Sequence, residues 1–226
     1  MCFSAEASFA ASGVLAAGSV AIARIPKQKA AIPLSLFPAV FSAHQLIEGL
    51  IWLNQDGTLP DAYRPGIVHA YALIAYVFWP IFVPFAACLV EGEKRRRAIL
   101  LVCQAIGLWC GASLLLSLAR DPVVVSADCC SLSYFVNAPA FLTAPYLVAT
   151  CLPFLLCSQR NLVLFGVGLV ATCAAAALSA SASTFPSVWC FFAALFSGGL
   201  YLHFRGCAQT IAHQPGQRAR CEAVRT

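Results

Sequence analysis

The sequence predicts an all-α integral membrane protein. Apolar residues make up 61% of its 226 positions and charged residues only 10%. A soluble domain usually has about 25% charged residues. The few charges also occur in clusters, and the stretches between them are about 20 residues long, which is enough for a membrane-spanning helix. We therefore expect the lipid bilayer to be the main partner of this chain.

Seven apolar stretches fit the length of a spanning helix. We predict a seven-helix transmembrane domain over residues 1–204, followed by a polar cytoplasmic tail, residues 205–226. That tail lacks an apolar periodicity, so we expect it to be disordered. The seven predicted spans are residues 5–24, 31–54, 66–90, 98–119, 139–158, 161–180 and 185–204.

The basic residues predict the orientation, because cytoplasmic loops are enriched in Lys and Arg. Twelve of the fourteen follow the first, third, fifth and seventh spans, and only Arg64 and Arg120 fall on the other side. The N-terminus is therefore predicted outside and the C-terminus in the cytoplasm. This bias also accounts for the net charge of +5, so we expect no nucleic-acid partner.

Small residues and prolines indicate how the spans pack. Small side chains in the first and sixth spans permit close approach between helices. Prolines in the second, third and fifth spans predict kinks. A bundle with three kinked helices is expected to enclose a cavity.

The longest predicted outer loop is residues 120–139. Segments with strand character flank its polar SADCC sequence, which favours a short hairpin or a lid over the bundle. Cys129 and Cys130 lie in this loop on the predicted oxidising side. Cys2 is their candidate disulfide partner, whereas the spacing of the twelve cysteines matches no zinc-finger pattern.

A polar pair interrupts the second span. His44 and Glu48 are four residues apart and share one helix face, in the half of the span nearest the predicted outside. Ionisable side chains are costly in hydrocarbon and usually functional there. Gln45 and Trp52 lie on nearly the same face. They either line a ligand site or serve as packing and membrane-interface side chains.

Glu6 and His69 fall at a similar depth on the first and third spans, and Cys2 lies just above them. These three residues complete a candidate metal set with His44 and Glu48. Histidine with carboxylates suits a divalent transition metal such as zinc, whose bound water would be available for hydrolysis. Other interpretations stay open at each position. Glu6 follows the N-cap candidate Ser4 and complements the helix dipole, and His69 suits a solvated helix end.

Three classes of function therefore stay open. The pair His44 and Glu48 suits a metal- or ligand-binding membrane protein, with enzymatic activity undecided. It also suits a proton-coupled transporter, in which the pair titrates. A non-catalytic membrane subunit or sensor, in which the pair is structural, is the third.

Four segments of the chain resemble one family: MCFSAEASF, AHQLIEGLIW, YALIAYVFWPIFVP and SVWCFFAALFSGGLYLHFR. This is an uncharacterised bacterial group of multi-pass membrane proteins with an N-terminal MCFSA motif, a domain of unknown function. The resemblance covers nearly the whole chain and implies a bacterial cytoplasmic (inner) membrane location. It also implies that Cys2, His44, Glu48, Trp189, Cys190 and His203 belong to the family's pattern.

Overall fold

Ten α-helices and one β-hairpin make up the computed structural model, which describes residues 4–128 and 131–213. The hairpin consists of strands β1 (Val124–Asp128) and β2 (Ser131–Phe135). The helices are α1 (Ala5–Ala23), α2 (Ile32–Ser35), α3 (Phe37–Gln55), α4 (Arg64–Ala72), α5 (Trp79–Val90), α6 (Lys94–Arg120), α7 (Thr143–Leu155), α8 (Arg160–Ser179), α9 (Phe185–Ser197) and α10 (Leu200–His213).

Several neighbouring helices join into longer apolar rods. The described residues contain six helical segments long and apolar enough to cross a membrane: Ala5–Ala23, Lys29–Gln55, Asp61–Val90, Lys94–Arg120, Arg160–Ser179 and Phe185–Gly206. The predicted span at 139–158 contains a shorter apolar helix, Ala140–Leu155. The prediction of a helical membrane protein is confirmed, while the count of seven spans stays a prediction.

The third rod is irregular in its middle. A π-helical turn, Leu73–Phe78, separates α4 from α5, and Pro80 and Pro84 then remove two backbone N–H donors. Side chains from other helices bond to carbonyls of this region: Tyr146 of α7 donates to Ala75, and Gln104 of α6 donates to Ile81 at 3.3 Å. The irregular backbone is thus satisfied by neighbours within the bundle, as a membrane requires.

We call the end of the bundle that carries β1 and β2 the hairpin end. The other end, where the α5–α6 and α7–α8 connections lie, is the opposite end. Strands β1 and β2 pair antiparallel with Ser126 facing Ser133, so the expectation of a short hairpin is confirmed. The backbone N–H of Tyr134 donates to Ser183, between α8 and α9, at 2.9 Å. The hairpin is therefore fixed to the loop that precedes α9.

At the opposite end, Glu91 joins two connections. Its carboxylate accepts hydrogen bonds from the Ser158 backbone N–H (2.6 Å) and hydroxyl (2.9 Å) and from the Glu93 backbone N–H (2.8 Å). Arg96 donates to the carbonyls of Leu156 and Cys157. The α5–α6 connection is thereby held against the α7–α8 connection.

The end of the chain differs from the expectation of a disordered tail over residues 205–226. Helix α10 continues to His213, so residues 205–213 are helical and that part of the expectation is wrong. Residues 214–226 lie outside the described residues. Cys2, Cys129 and Cys130 also lie outside them, and their disulfide therefore stays a prediction.

Candidate functional site

The polar residues of the second span lie inside the bundle. Helix α3 buries a stripe that includes Phe37, Phe41, His44, Gln45 and Glu48. His44 and Gln45 are fully buried, and Glu48 is 2% exposed. The spacing of three and four residues places these side chains on one face. That face packs against other helices instead of facing lipid.

Glu48 accepts hydrogen bonds from neutral donors. Gln45 Nε2 donates to its Oε2 at 3.1 Å from the same helix. The Ser187 hydroxyl, on α9, donates to its Oε1. Both ion pairs found among the described residues lie elsewhere and join exposed groups. The carboxyl group is thus buried with hydrogen-bond donors around it but without a paired cation in the described part of the chain.

Three rings form a column beside this carboxyl group. The His44 ring stacks on Tyr71 of α4, with ring centroids 4.2 Å apart. Tyr71 stacks in turn on Tyr134 of β2, again at 4.2 Å and with nearly parallel planes. The column therefore runs from the second span through the third to the hairpin.

The column and the carboxyl group belong to one buried group, which we call the Glu48 cluster: His44, Gln45, Glu48, Tyr71, Tyr134, Ser187 and Cys190. The Cys190 thiol interacts electrostatically with Glu48. Burial, together with the nearby Glu48 carboxylate, raises the pKa of Tyr134 far above its usual range. The Tyr134 phenol therefore stays protonated and can donate a hydrogen bond.

Several polar atoms of the cluster lack hydrogen-bond partners. Neither ring nitrogen of His44 makes a hydrogen bond of standard geometry with a described residue, although the Tyr71 backbone adjoins the ring. Gln45 Oε1 is also without a partner within the described residues. Buried polar groups in proteins are nearly always hydrogen-bonded to protein or water. Gln45 Oε1 and the unprotonated ring nitrogen of a neutral His44 thus offer acceptor positions to a molecule bound beside Glu48, and the protonated ring nitrogen offers a donor.

The other metal candidates do not join the cluster. Glu6 is exposed in the first turn of α1, where its carboxylate is repelled by that of Asp56. Its N-cap is Ser4, whose side chain accepts from Ala7 N–H, which agrees with the helix-dipole interpretation. His69 is half-buried, since the buried stripe of α4 passes through Val68, Tyr71 and Ala72.

The described residues contain no group of three or more His, Cys, Asp and Glu side chains that could hold a metal ion. The set predicted from sequence is therefore not assembled within the described part of the chain. His44 and Glu48 alone, with the neutral neighbours Gln45 and Ser187, do not fit a closed zinc site, which usually needs four ligands.

The remaining candidates lie in different places. Trp52 is half-buried and packs against the apolar residues around Ile51 and Val68. Trp189 lies on α9 next to Cys190, which belongs to the Glu48 cluster. His203 lies at the opposite end, where its Nδ1 is 3.5 Å from the Asn161 side-chain nitrogen. The residues of the resembled pattern thus divide between both ends of the bundle.

Sequence reasoning missed Tyr71, Tyr134 and Ser187. Tyr71 follows His69 by two residues and lies on the buried face that His69 only partly shares. Ser187 precedes Cys190 by three residues and therefore shares its helix face. Helical spacing could have grouped Ser187 with Cys190, but the contacts of Tyr71 and Tyr134 depend on tertiary packing, since residues two apart on a helix do not share a face.

Comparison with known proteins gives a family but no characterised relative. No curated protein and no solved structure matches this chain. Residues 1–214 match the model of a family of unknown function, DUF6629. Because this match covers nearly the entire sequence, the chain belongs to the DUF6629 family.

Proposed function

We propose that this protein is a multi-pass membrane protein that binds a small ligand at the Glu48 cluster. The observation that carries the proposal is the buried carboxyl group of Glu48, which has neutral donors, no paired cation among the described residues, and unpartnered acceptors next to it. An ionisable residue inside a membrane bundle is by default a functional candidate. The ligand supplies the hydrogen-bond donors that His44 and Gln45 lack.

The topology belongs to the same proposal. We take the chain to have seven spans, with the hairpin end outside and the opposite end in the cytoplasm of a bacterial inner membrane. Two features support it. Twelve of fourteen basic residues follow odd-numbered spans, and α6 and α8 both pack against α7, which joins the end of one to the start of the other.

Aromatic packing below the cluster favours ligand binding over proton-coupled transport. Towards the opposite end of α3, the Phe41 ring stacks on Trp79 at 4.1 Å. Phe37 packs against Phe154 and Phe165, with ring centroids 5.6 and 6.2 Å apart. A carrier would need a path from Glu48 through these rings. The remaining alternative is a non-catalytic membrane subunit in which the polar pair is only structural. The experiment below distinguishes it from ligand binding.

The test is the isosteric variant Glu48→Gln, with Glu6→Gln as its matched control. Both changes convert a carboxylate to an amide, but Glu6 is exposed. The proteins are purified in mild detergent, and bound molecules are measured by native mass spectrometry and metals by elemental analysis. We expect wild type and Glu6→Gln to retain a bound small molecule, and Glu48→Gln to lose it, because an amide has one acceptor oxygen where the carboxyl group has two.

A different result would favour another function. If Glu48→Gln keeps the bound molecule but unfolds at lower temperature, the cluster is structural. A transition metal that co-purifies with wild type and disappears in His44→Ala would restore the metal site expected from sequence.

A further inference from the structure

A cavity of about 530 Å³ lies at the hairpin end, beside the Glu48 cluster. Its volume is within the range of roughly 300–1,000 Å³ that is usual for small-molecule sites. The lining is mainly apolar and comes from the hairpin, α7, α8 and α9, with further residues from α6 and the π-helical turn; it includes Tyr134, Tyr146, Cys173, Ala177, Trp189 and Cys190.

The cavity lies beside the parts of α7 and α8 that are nearest the hairpin end. Near the opposite end they touch: a Cβ at Gly166 of α8 would lie 2.9 Å from the backbone nitrogen of Leu155. Towards the hairpin end, α8 presents Cys173 and Ala177 to the cavity instead of large side chains. The small residues of α8 thus allow close packing in one half and leave space in the other.

The cavity rim lies on the flank of the bundle. Thr143 of α7 and Ala177 of α8 line the cavity and are exposed. The next residue on α8, Leu178, is 90% exposed, which is typical of an apolar side chain that faces lipid. Exposed residues of α7 and α8 thus border the cavity on this flank.

The inner wall of the cavity is part of the Glu48 cluster. Tyr134 and Cys190 line the cavity, and both interact electrostatically with Glu48. Because Glu48 is 2% exposed and the Tyr134 hydroxyl is buried, a head group that bonds to Glu48 has to move side chains of this wall. Next to a buried acid with no paired cation among the described residues, a head that donates hydrogen bonds is favoured and an anionic head is repelled.

We infer that the ligand is a single-chain amphipathic lipid whose apolar chain occupies this cavity and whose head is a hydrogen-bond donor, an alcohol or an amine. It enters from the bilayer between α7 and α8. The inference rests on the proposed function for the placement of the head at Glu48. The chain-binding part depends only on the cavity.

The test uses a photoactivatable long-chain alcohol that carries a diazirine on its chain, with protein reconstituted in phospholipid vesicles. Ala177→Trp fills the cavity from α8, and Leu178→Trp adds the same side chain on the lipid-facing side. After illumination, peptide mapping locates and quantifies the cross-links. We expect wild type and Leu178→Trp to be labelled on the cavity-lining parts of α7, α8 and α9, and Ala177→Trp to lose about tenfold, equivalent to about 1.4 kcal/mol.

The head is tested with the matching fatty acid and with Glu48→Gln. We expect the fatty acid to label wild type less than the alcohol does at alkaline pH, and Glu48→Gln to reduce labelling by the alcohol. Equal labelling of Ala177→Trp and Leu178→Trp, or labelling only on lipid-facing residues, overturns the inference, as does no labelling of wild type. Cavity labelling that is unchanged in Glu48→Gln leaves the chain site intact and refutes the placement of the head at Glu48, whereas the proposed function itself is decided by the molecule that co-purifies with wild type.

Discussion

Ser187 donates a hydrogen bond to Glu48 and thereby joins α9 to α3 across 139 positions of the sequence. Gln45, the other donor to this carboxyl group, lies on the same helix as Glu48. The packing of α3 against α9 therefore depends at this point on a polar contact inside an apolar bundle. Loss of the serine hydroxyl leaves part of a buried carboxyl group unsatisfied.

We expect Ser187→Ala to lower the free energy of unfolding by about 1–2 kcal/mol, the range found for hydrogen bonds between membrane helices in model peptides. Thermal unfolding in detergent measures the change. The control is Ser179→Ala, because Ser179 is exposed and bonds only to carbonyls of its own helix, Ala175 and Ala176. Equal stability of the two variants would show that the Ser187 contact contributes nothing.

The sequence predicted the helical membrane class, the hairpin and the polar pair because each depends on local information. Spanning helices follow from apolar length, and strand character around the polar SADCC sequence follows from residue type. The inward orientation of His44 and Glu48 was expected because exposure of ionisable groups to lipid is costly. These features need no knowledge of which helices are neighbours.

Contacts between distant elements could not be predicted in the same way. Depth in the membrane placed Glu6 and His69 near Glu48, but depth does not determine the rotation of each helix about its own axis. Helix α1 turns Ser8, Ala11 and Ser12 inward and leaves Glu6 exposed. On α4 the same kind of rotation brings Tyr71, rather than His69, against His44.

The Tyr134 ring is expected to hold the hairpin on the bundle. Tyr134 is 3% exposed and stacks on Tyr71, whereas its neighbour Phe135 points away and is 53% exposed. We predict that Tyr134→Ala costs about 3–5 kcal/mol, as for other large aromatic truncations in a core. Phe135→Ala should change stability by less than about 0.5 kcal/mol.

Limited proteolysis of the hairpin, followed by mass spectrometry, measures this difference locally. Tyr134→Ala should be cut within residues 121–137 faster than wild type, and Phe135→Ala at the wild-type rate. If both variants resist cleavage equally, the ring column does not anchor the hairpin.

We predict that Glu91 makes the most important polar contacts between the α5–α6 and α7–α8 connections at the opposite end. Its buried carboxylate accepts three hydrogen bonds, whereas Glu93 forms an exposed ion pair with Arg96. We expect Glu91→Ala to cost about 2–4 kcal/mol because buried donors lose their acceptor. Glu93→Ala should cost at most about 1 kcal/mol, as exposed pairs do. Glu91→Gln, which keeps one acceptor oxygen, should fall between them in thermal unfolding.

The topology prediction depends on the helix Ala140–Leu155. Its 16 residues span about 24 Å at 1.5 Å per residue, less than the hydrocarbon thickness of about 30 Å. A short span is accommodated by local thinning of the bilayer at a modest cost. Basic residues support a crossing here, since Arg160 and Arg205 then lie on the same side as Arg96.

Fusion reporters at Thr226 and near Asp128 decide between six and seven spans. If Ala140–Leu155 crosses, three spans separate Asp128 from Thr226. A reporter after Thr226 is then cytoplasmic and one near Asp128 is outside. If this helix stays on the hairpin side, both reporters are active on the outer side. A reporter near Asp128 that is active in the cytoplasm would reverse the orientation, because it would place the hairpin, the cavity rim and the ligand entrance in the inner half of the membrane.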